Sequence, residues 1–139
     1  SGPSRTGEGL YRAIEQSCED IPRHLISFIN AHGTATPYND EMEAIAFDRS
    51  QLSDIPVNSF KANFGHTLGA AGVIETILSA RSLQNGYVLP SLGFENIGVS
   101  VPLQIPTTLF PDDKPYCIKT ASGFGGCNAA IVLKKGEIV

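Results

Sequence analysis

The chain has 139 residues, of which 42% are hydrophobic and 17% charged, and its formal net charge is −4. That size and composition are typical of one globular domain that can bury its own core. The acidic balance and the lack of any lysine or arginine run disfavour a nucleic-acid or anionic-membrane surface. No apolar stretch approaches the roughly 20 residues of a membrane-spanning helix.

Three cysteines, Cys18, Cys117 and Cys127, are widely spaced and odd in number. This pattern indicates neither a disulfide framework nor a zinc site, so we expect a reducing, cytoplasmic location. Residues 1–6, rich in Gly, Ser and Pro, are interpreted as a linker or cloning scar. The folded domain is then residues 7–139.

The first half of the chain alternates helix and strand patterns. Leu10, Ile14 and Cys18 recur at helical spacing, which predicts an amphipathic helix. Asn39 or Asp40 is expected to cap the second helix. In chain order, the predicted elements are helix 10–19, strand 25–31, helix 38–52 and strand 56–60.

The second half predicts one long helix and a closing hairpin. Asn85 and Gly86 are a typical helix stop. Residues 89–113 are rich in proline and predict an irregular connection, and the glycine turn at 123–126 predicts an antiparallel pairing of the last two strands. The remaining elements are helix 68–86, strand 116–122 and strand 128–136. Alternating strands and helices favour a three-layer α/β domain with a mixed sheet.

Polar residues follow the first two predicted strands. His32 comes directly after the first strand, Lys61 follows the second, and His66 lies five residues later. Ligand sites in open α/β sheets collect at the carboxyl ends of strands, so these side chains are candidates for a site. A histidine in such a place is also commonly a hydrogen-bonded structural residue, and the glycine turn could be an ordinary turn.

Other polar residues have simpler interpretations. Asp40 and Glu43 are read as acids that favour a helix start, and His24 as a surface residue. His32, Asp40 and His66 could in principle bind a metal, but no compact ligand motif supports a metal site.

Three motifs resemble a known family. They are NAHGTATPYNDEMEA at 30–44, KANFGHTLGAAG at 61–72 and SGFGGCNAAIVL at 122–133. Their order and spacing resemble the C-terminal half of the β-ketoacyl-acyl-carrier-protein synthases, the condensing enzymes of fatty-acid and polyketide synthesis. The resemblance runs from about residue 7 to 135. It implies the C-terminal half of a thiolase-like fold, with three layers around a mixed sheet of the five-stranded type.

The resemblance implies an acyltransferase reaction, the decarboxylative Claisen condensation of a malonyl thioester with an acyl thioester. His32 and His66 would donate hydrogen bonds to the thioester oxygen, where fixed donors contribute most to catalysis. His32 is also the candidate for acid–base work in decarboxylation. Lys61 and Glu75 would orient the histidines, although a plain salt bridge is nearly the same interpretation.

Further roles are implied for two loops. Thr34 and Thr36 resemble hydroxyls that bind the pantetheine arm, although Thr34 could be only a turn residue. Phe124 resembles a gating phenylalanine whose N–H completes an oxyanion hole for the acyl thioester. Gly123, Gly125 and Gly126 would let that turn move and adopt positive φ.

The family's nucleophilic cysteine lies in a Thr-Ala-Cys context in the other half, and Cys18, Cys117 and Cys127 lack that context. All three are interpreted as structural, so the isolated chain is expected to be catalytically incomplete. No covalently bound cofactor is expected, because the substrate is carried on the phosphopantetheine of an acyl carrier protein. Expected partners are that carrier and either the N-terminal ketosynthase half or a second copy. A non-catalytic carrier-binding or complementing module is the alternative, with an unrelated metal hydrolase well behind it.

Overall fold

Helices and strands alternate along the chain in the computed structural model, which describes residues 2–136. The helices are α1 (Glu8–Ser17), α2 (Pro37–Arg49), α3 (Lys61–Phe64) and α4 (Ala71–Asn85). The strands are β1 (Ile26–Asn30), β2 (Val57–Asn58), β3 (Tyr87–Val88), β4 (Phe110–Pro111), β5 (Tyr116–Gly123) and β6 (Cys127–Lys134). Within residues 2–136, no helix has both the length and the apolar character needed to cross a bilayer.

A mixed sheet in the order β2-β1-β5-β6 forms the middle of the molecule. β1 pairs in parallel with β2 and with β5. β5 and β6 pair antiparallel from Tyr116↔Lys134 to Gly123↔Cys127, which confirms the predicted closing hairpin. Over residues 2–136 the sheet has four strands rather than the five that the resemblance implies, because β3 and β4 form a separate two-stranded ribbon. Pro111 in β4 has no N–H to donate and is therefore poorly suited to a central ladder.

Helices cover both faces of this sheet, as the alternation of strands and helices predicts. Successive residues of a strand point to opposite faces. Ile29 and Ile118 therefore lie in the core shared with α1 and α2, whereas Phe28 and Cys117 pack with the end of α4. All five residues of β1 are buried, as predicted for a strand covered on both sides.

The start of α2 differs from the prediction. The helix begins at Pro37, whose fixed φ suits a first helical position, and Thr36 is the N-cap without a side-chain hydrogen bond. The prediction that Asn39 or Asp40 caps this helix was wrong, since both lie within it. Asn39 is buried and uses its side-chain amide to donate to Glu43 instead.

The second strand and the long helix are also shorter than predicted. β2 holds two residues because the chain turns at once into α3. The predicted helix 68–86 opens with a 3-10 turn, Leu68–Ala70, before α4 starts. Its predicted end is confirmed, since Gly86 adopts the left-handed conformation with φ 70° and caps α4.

Candidate active site at the ends of β1 and β2

Several predicted site residues meet beyond the carboxyl ends of β1 and β2. These strands are parallel neighbours, so His32, two residues after β1, and Lys61, three residues after β2, lie at the same edge of the sheet. The ring of His66 approaches that of His32 with centroids 5.2 Å apart and planes at 84°. Glu75 of α4 joins them through an ion pair with Lys61.

Lys61 connects His32 to Glu75. Its ammonium donates to Oε1 of Glu75 at 2.6 Å and to the backbone oxygen of His32 at 2.5 Å, and it lies 3.3 Å from Nδ1 of His32. An ammonium can only donate, so Nδ1 of His32 must be the acceptor. The proton of the neutral His32 ring is therefore on Nε2.

A different hydrogen bond gives His66 the same tautomer as His32. The backbone N–H of Leu68 donates to Nδ1 of His66 at 3.1 Å, which leaves Nε2 as the protonated nitrogen. Leu68 has φ 54°, an unusual conformation for leucine that turns the backbone into the 3-10 turn before α4. His66 is exposed, whereas His32 is buried with only 7% of its surface accessible.

The surroundings of His32 keep its ring neutral. Burial lowers the pKa of His32 to about 4, and the ammonium groups of Lys61 and Lys119 act in the same direction. Glu75 opposes them only in part, because it is shared between the two lysines. At neutral pH the site thus has an uncharged His32 with an N–H donor at Nε2.

Glu43 holds the backbone that carries His32. Its carboxylate accepts hydrogen bonds from the N–H groups of His32 and Gly33, both at 2.8 Å, and from the side chains of Asn39 and Thr120, both at 3.0 Å. Burial raises the pKa of Glu43, and the N–H groups of Gly33 and His32, the Thr120 hydroxyl and the charge of Lys119 offset part of that shift. The interpretation of Glu43 as a helix-start acid was wrong, because the side chain is buried in the site. Its spacing from the buried Phe47, one helical turn away, was the available signal.

Lys119 is a second residue that the sequence interpretation missed. It lies on β5, is 3% exposed, and places its ammonium 2.7 Å from Oε2 of Glu75. A charged residue between Ile118 and Thr120, in a strand that is otherwise apolar or small, was the only local signal. The Glu75 carboxylate therefore lies between the buried ammonium groups of Lys61 and Lys119.

Thr34 and Thr36 lie on the loop between β1 and α2. Their hydroxyl oxygens are 2.7 Å apart, and Ala35 between them has φ 57°. Together with Lys61 and His66 they line a cavity of about 780 Å³ beside the histidine pair. That cavity is largely apolar, and the connection after β3 contributes several of its apolar residues: Phe94, Ile97, Leu103 and Ile105.

The glycine turn lies at the tip of the β5–β6 hairpin. Gly125 and Gly126 have φ values of 85° and 82°, as predicted, whereas Gly123 is not among the positive-φ residues and ends β5. The side chain of Phe124 is fully exposed. The turn is held by its own hairpin, since the side-chain amide of Asn128 donates to the Gly126 oxygen at 3.2 Å.

The three cysteines are free thiols in different surroundings. Cys18 caps α1 and Cys117 lies in β5, and both are buried. Burial raises the pKa of Cys117 to about 12 and also raises that of Cys18, so both thiols are poor nucleophiles. Cys127 is exposed at the start of β6.

Residues 1–95 match the family described as "Beta-ketoacyl synthase, C-terminal domain". The chain belongs to the β-ketoacyl synthase family. It is 33% identical over 141 residues to 3-oxoacyl-[acyl-carrier-protein] synthase 2 of Rhizobium meliloti (strain 1021), in an alignment that covers 97% of this chain and 33% of that protein. This agrees with the three motifs at 30–44, 61–72 and 122–133.

Solved ketosynthases have the same fold as this β-ketoacyl synthase domain. The ketosynthase ApeO, solved with its chain length factor ApeC from Xenorhabdus doucetiae, matches with a TM-score of 0.89 and 31% identity, over 98% of this chain and 35% of that one. The complex AntDE:AntF, a type II polyketide synthase acyl-carrier protein with its ketosynthase, matches with a TM-score of 0.87 and 26% identity, again over 98% and 35%. The thiolase-like α/β fold is thereby confirmed. The chain spans about a third of the length of these relatives.

Proposed function

We propose that this β-ketoacyl synthase domain supplies the decarboxylation side of a condensing site. Its substrate would be a malonyl thioester, and the second reactant an acyl thioester of fatty-acid or polyketide synthesis. The observation that carries the proposal is the histidine pair: both Nδ1 atoms accept hydrogen bonds, so both rings have Nε2–H free to donate. The family membership supports it.

In this reaction the two N–H donors would stabilise the negative charge that develops on the thioester oxygen. The bond between the malonyl carboxylate carbon and the α-carbon breaks, carbon dioxide leaves, and the electron pair moves onto the thioester oxygen. Nε2–H of His32 and of His66 would stabilise that oxygen, and a fixed donor of this kind is typically worth about 10²- to 10³-fold in rate. The α-carbon then bonds to the acyl carbonyl carbon, and the thiolate of the acyl thioester leaves. Lys61 and Glu75 would hold His32 in place without reacting.

Thr34 and Thr36 are proposed to bind the pantetheine arm that carries the malonyl group. Their exposed hydroxyl groups line the same cavity as His66 and Lys61, and the apolar part of that cavity suits an aliphatic chain. The proposed partner is an acyl carrier protein. The related ketosynthase solved with its acyl-carrier protein supports this choice.

Phe124 is proposed to gate the acyl side of the site and to contribute its N–H to the second oxyanion hole. Positive φ at Gly125 and Gly126 lets the turn adopt conformations that other residues resist. The full exposure of Phe124 leaves that side chain free to move.

The nucleophilic cysteine is proposed to come from outside these 139 residues. The buried thiols of Cys18 and Cys117 have raised pKa values, and neither is held by the site's histidines. The proposed location remains a reducing cytoplasm, in which such thiols stay unpaired.

An exposed apolar surface is proposed to bind the part that completes the site. It consists of Phe64, Leu68, Val73 and Ile77, which are 57–77% exposed on α3, the 3-10 turn and α4. Exposed apolar patches on a protein surface commonly mark protein interfaces. The proposed occupant is the N-terminal half of a ketosynthase, with a second copy of this chain as the other outcome.

The test measures malonyl-thioester decarboxylation and condensation by the 139-residue chain, alone and mixed with the N-terminal half of a related ketosynthase. We expect condensation only in the mixture, and a loss of about 10²- to 10³-fold in His32→Gln or His66→Gln. His24→Gln changes an exposed histidine outside the site and is the matched control. Condensation by the chain alone would contradict the external nucleophile. A stable but inactive complex would favour the carrier-binding module instead.

A further inference from the structure

We infer that Lys119 is a positioning residue of this site, which holds Glu75 from the side opposite Lys61 and anchors the carbonyl of Ala31, the residue before His32. Its meaning for catalysis rests on the proposed function. Its effect on the protonation and tautomer of His32 can be measured without substrate.

Three oxygens surround the ammonium of Lys119. It lies 2.7 Å from Oε2 of Glu75 and donates to the backbone oxygens of Thr120 at 2.6 Å and Ala31 at 3.3 Å. The side chain is 3% exposed and burial lowers its pKa, an effect that Glu75 opposes. Two of its protons make hydrogen bonds to backbone oxygens, and its charge forms an ion pair with Glu75. That arrangement suits a residue that holds others in place.

β5 supports the His32 loop from both of its faces. Neighbouring residues in a strand point in opposite directions, so Lys119 faces α4 while Thr120 faces α2. Lys119 reaches Glu75 and the Ala31 oxygen, and Thr120 reaches Glu43, which binds the N–H groups of His32 and Gly33. The backbone around His32 is therefore held on each side of the sheet by one residue of β5.

Lys119 also determines which groups the ammonium of Lys61 contacts. Glu75 directs Oε1 to Lys61 and Oε2 to Lys119, so each ammonium engages one oxygen. Without Lys119, both oxygens would be available to Lys61 and would draw its ammonium away from His32. With Lys119 present, Lys61 keeps its contacts with the oxygen and Nδ1 of His32.

Charged and titratable groups face His32 from several elements, and their net effect disfavours its protonation. Lys61 of α3, Lys119 of β5 and His66, which lies between α3 and the 3-10 turn, act in this direction, and Glu75 of α4 opposes them in part. Glu43 of α2 binds the backbone at His32. Removing Lys119 subtracts one positive charge and leaves Glu75 with a single partner. Both changes make protonation of the His32 ring easier.

The test compares Lys119→Met with Lys134→Met by nitrogen-15 NMR of the histidine rings. Lys134 lies on the adjacent strand β6 and is exposed, so it is a matched control. In Lys119→Met we expect the proton affinity of His32 to rise about three- to tenfold. We also expect the single Nε2–H tautomer to give way to a mixture. Lys134→Met should leave both readouts at their wild-type values, and wild-type values in Lys119→Met would overturn the inference.

A measurement on the unaltered chain covers the case in which Lys119→Met does not fold. The ammonium protons of Lys119 should exchange slowly with solvent and show contacts to Ala31 and Glu75. Exchange as fast as that of the exposed Lys134 would overturn the inference. If the wild-type chain mixed with the N-terminal half fails to condense substrates while the His32 signals respond as expected, the proposed function fails and the role of Lys119 stands.

Discussion

Two residues of the His32 loop adopt the left-handed backbone conformation for different reasons. Gly33, at φ 48°, has no room for a side chain, since a Cβ would lie 2.6 Å from Cβ of Ser59. Ala35, at φ 57°, is exposed and accepts a strained conformation between the two threonines. Strain of this kind is commonly found at functional sites.

Ala35→Gly should raise the free energy of unfolding by about 0.5–1 kcal/mol. A left-handed alanine costs about 1–2 kcal/mol, and the greater entropy that glycine loses on folding cancels part of the gain. Urea unfolding measures the change. Ala80→Gly, an exposed position inside α4, is the control and should lower the same quantity by about 1 kcal/mol. Equal destabilisation by both variants would show that Ala35 is not strained.

The hydroxyl group of Thr120 donates a hydrogen bond to the buried carboxyl group of Glu43. Thr120→Val removes one of four donors to a buried carboxylate without changing the side-chain volume much. The free energy of unfolding should fall by about 1.5–3 kcal/mol. Thr108→Val alters an exposed threonine and should change it by less than about 0.5 kcal/mol. Chemical denaturation measures both variants, and equal effects would argue against a stabilising hydrogen bond from Thr120 to Glu43.

α4 is the element with two different faces. One face meets the sheet and contributes Glu75, Ser79 and Leu83, all buried. The other exposes Val73 and Ile77, at 63% and 57%. A helix that is apolar on its outer side as well supports the proposal that this side binds a partner.

Ile77→Lys should weaken binding to the N-terminal half of a related ketosynthase, and any self-association, by at least about tenfold. A lysine ammonium is costly to bury in an apolar interface. Sedimentation velocity measures the association. Leu109→Lys places the same charge at another exposed apolar position and should bind as the wild type does. The thermal unfolding midpoint should stay the same in both variants, because neither side chain is in the core.

At the scale of the whole molecule, the neutral His32 makes stability depend on pH. The unfolded chain binds a proton at this residue below about pH 6.5, but the folded chain does so only near pH 4. Between these values the unfolded state binds more protons, so acid favours unfolding. The contribution of His32 is complete above pH 6.5 and is lost as the pH falls through 4. Its size is on the order of 3 kcal/mol.

The measurement is the free energy of unfolding between pH 7 and pH 4. In His32→Gln this part of the pH dependence should disappear, whereas His24→Gln should keep it, because His24 is exposed. An unchanged slope in His32→Gln would mean that the ring of His32 is protonated in the folded chain as easily as in water.

The main helices and strands, the closing hairpin and the end of α4 at Gly86 follow from the sequence by itself, whereas the short α3 and the β3–β4 ribbon were not predicted. Periodicity, glycine and proline act over a few residues, so such features can be recognised locally. The same holds for His32 and Lys61, since residues that follow two parallel strands meet at one edge of the sheet. The three motifs also identify the family without any structure.

Only the tertiary structure showed that Glu43 and Lys119 belong to the site. Thr120 and Glu43 are 77 positions apart in the chain, and Lys119 of β5 contacts Glu75 of the helix α4. Locally, Glu43 has the character of an ordinary acid near a helix start, and Lys119 of a single charge in a strand. Burial is what turns them into parts of the site, because a buried charge must find partners. Burial depends on how distant elements pack, which local patterns do not specify.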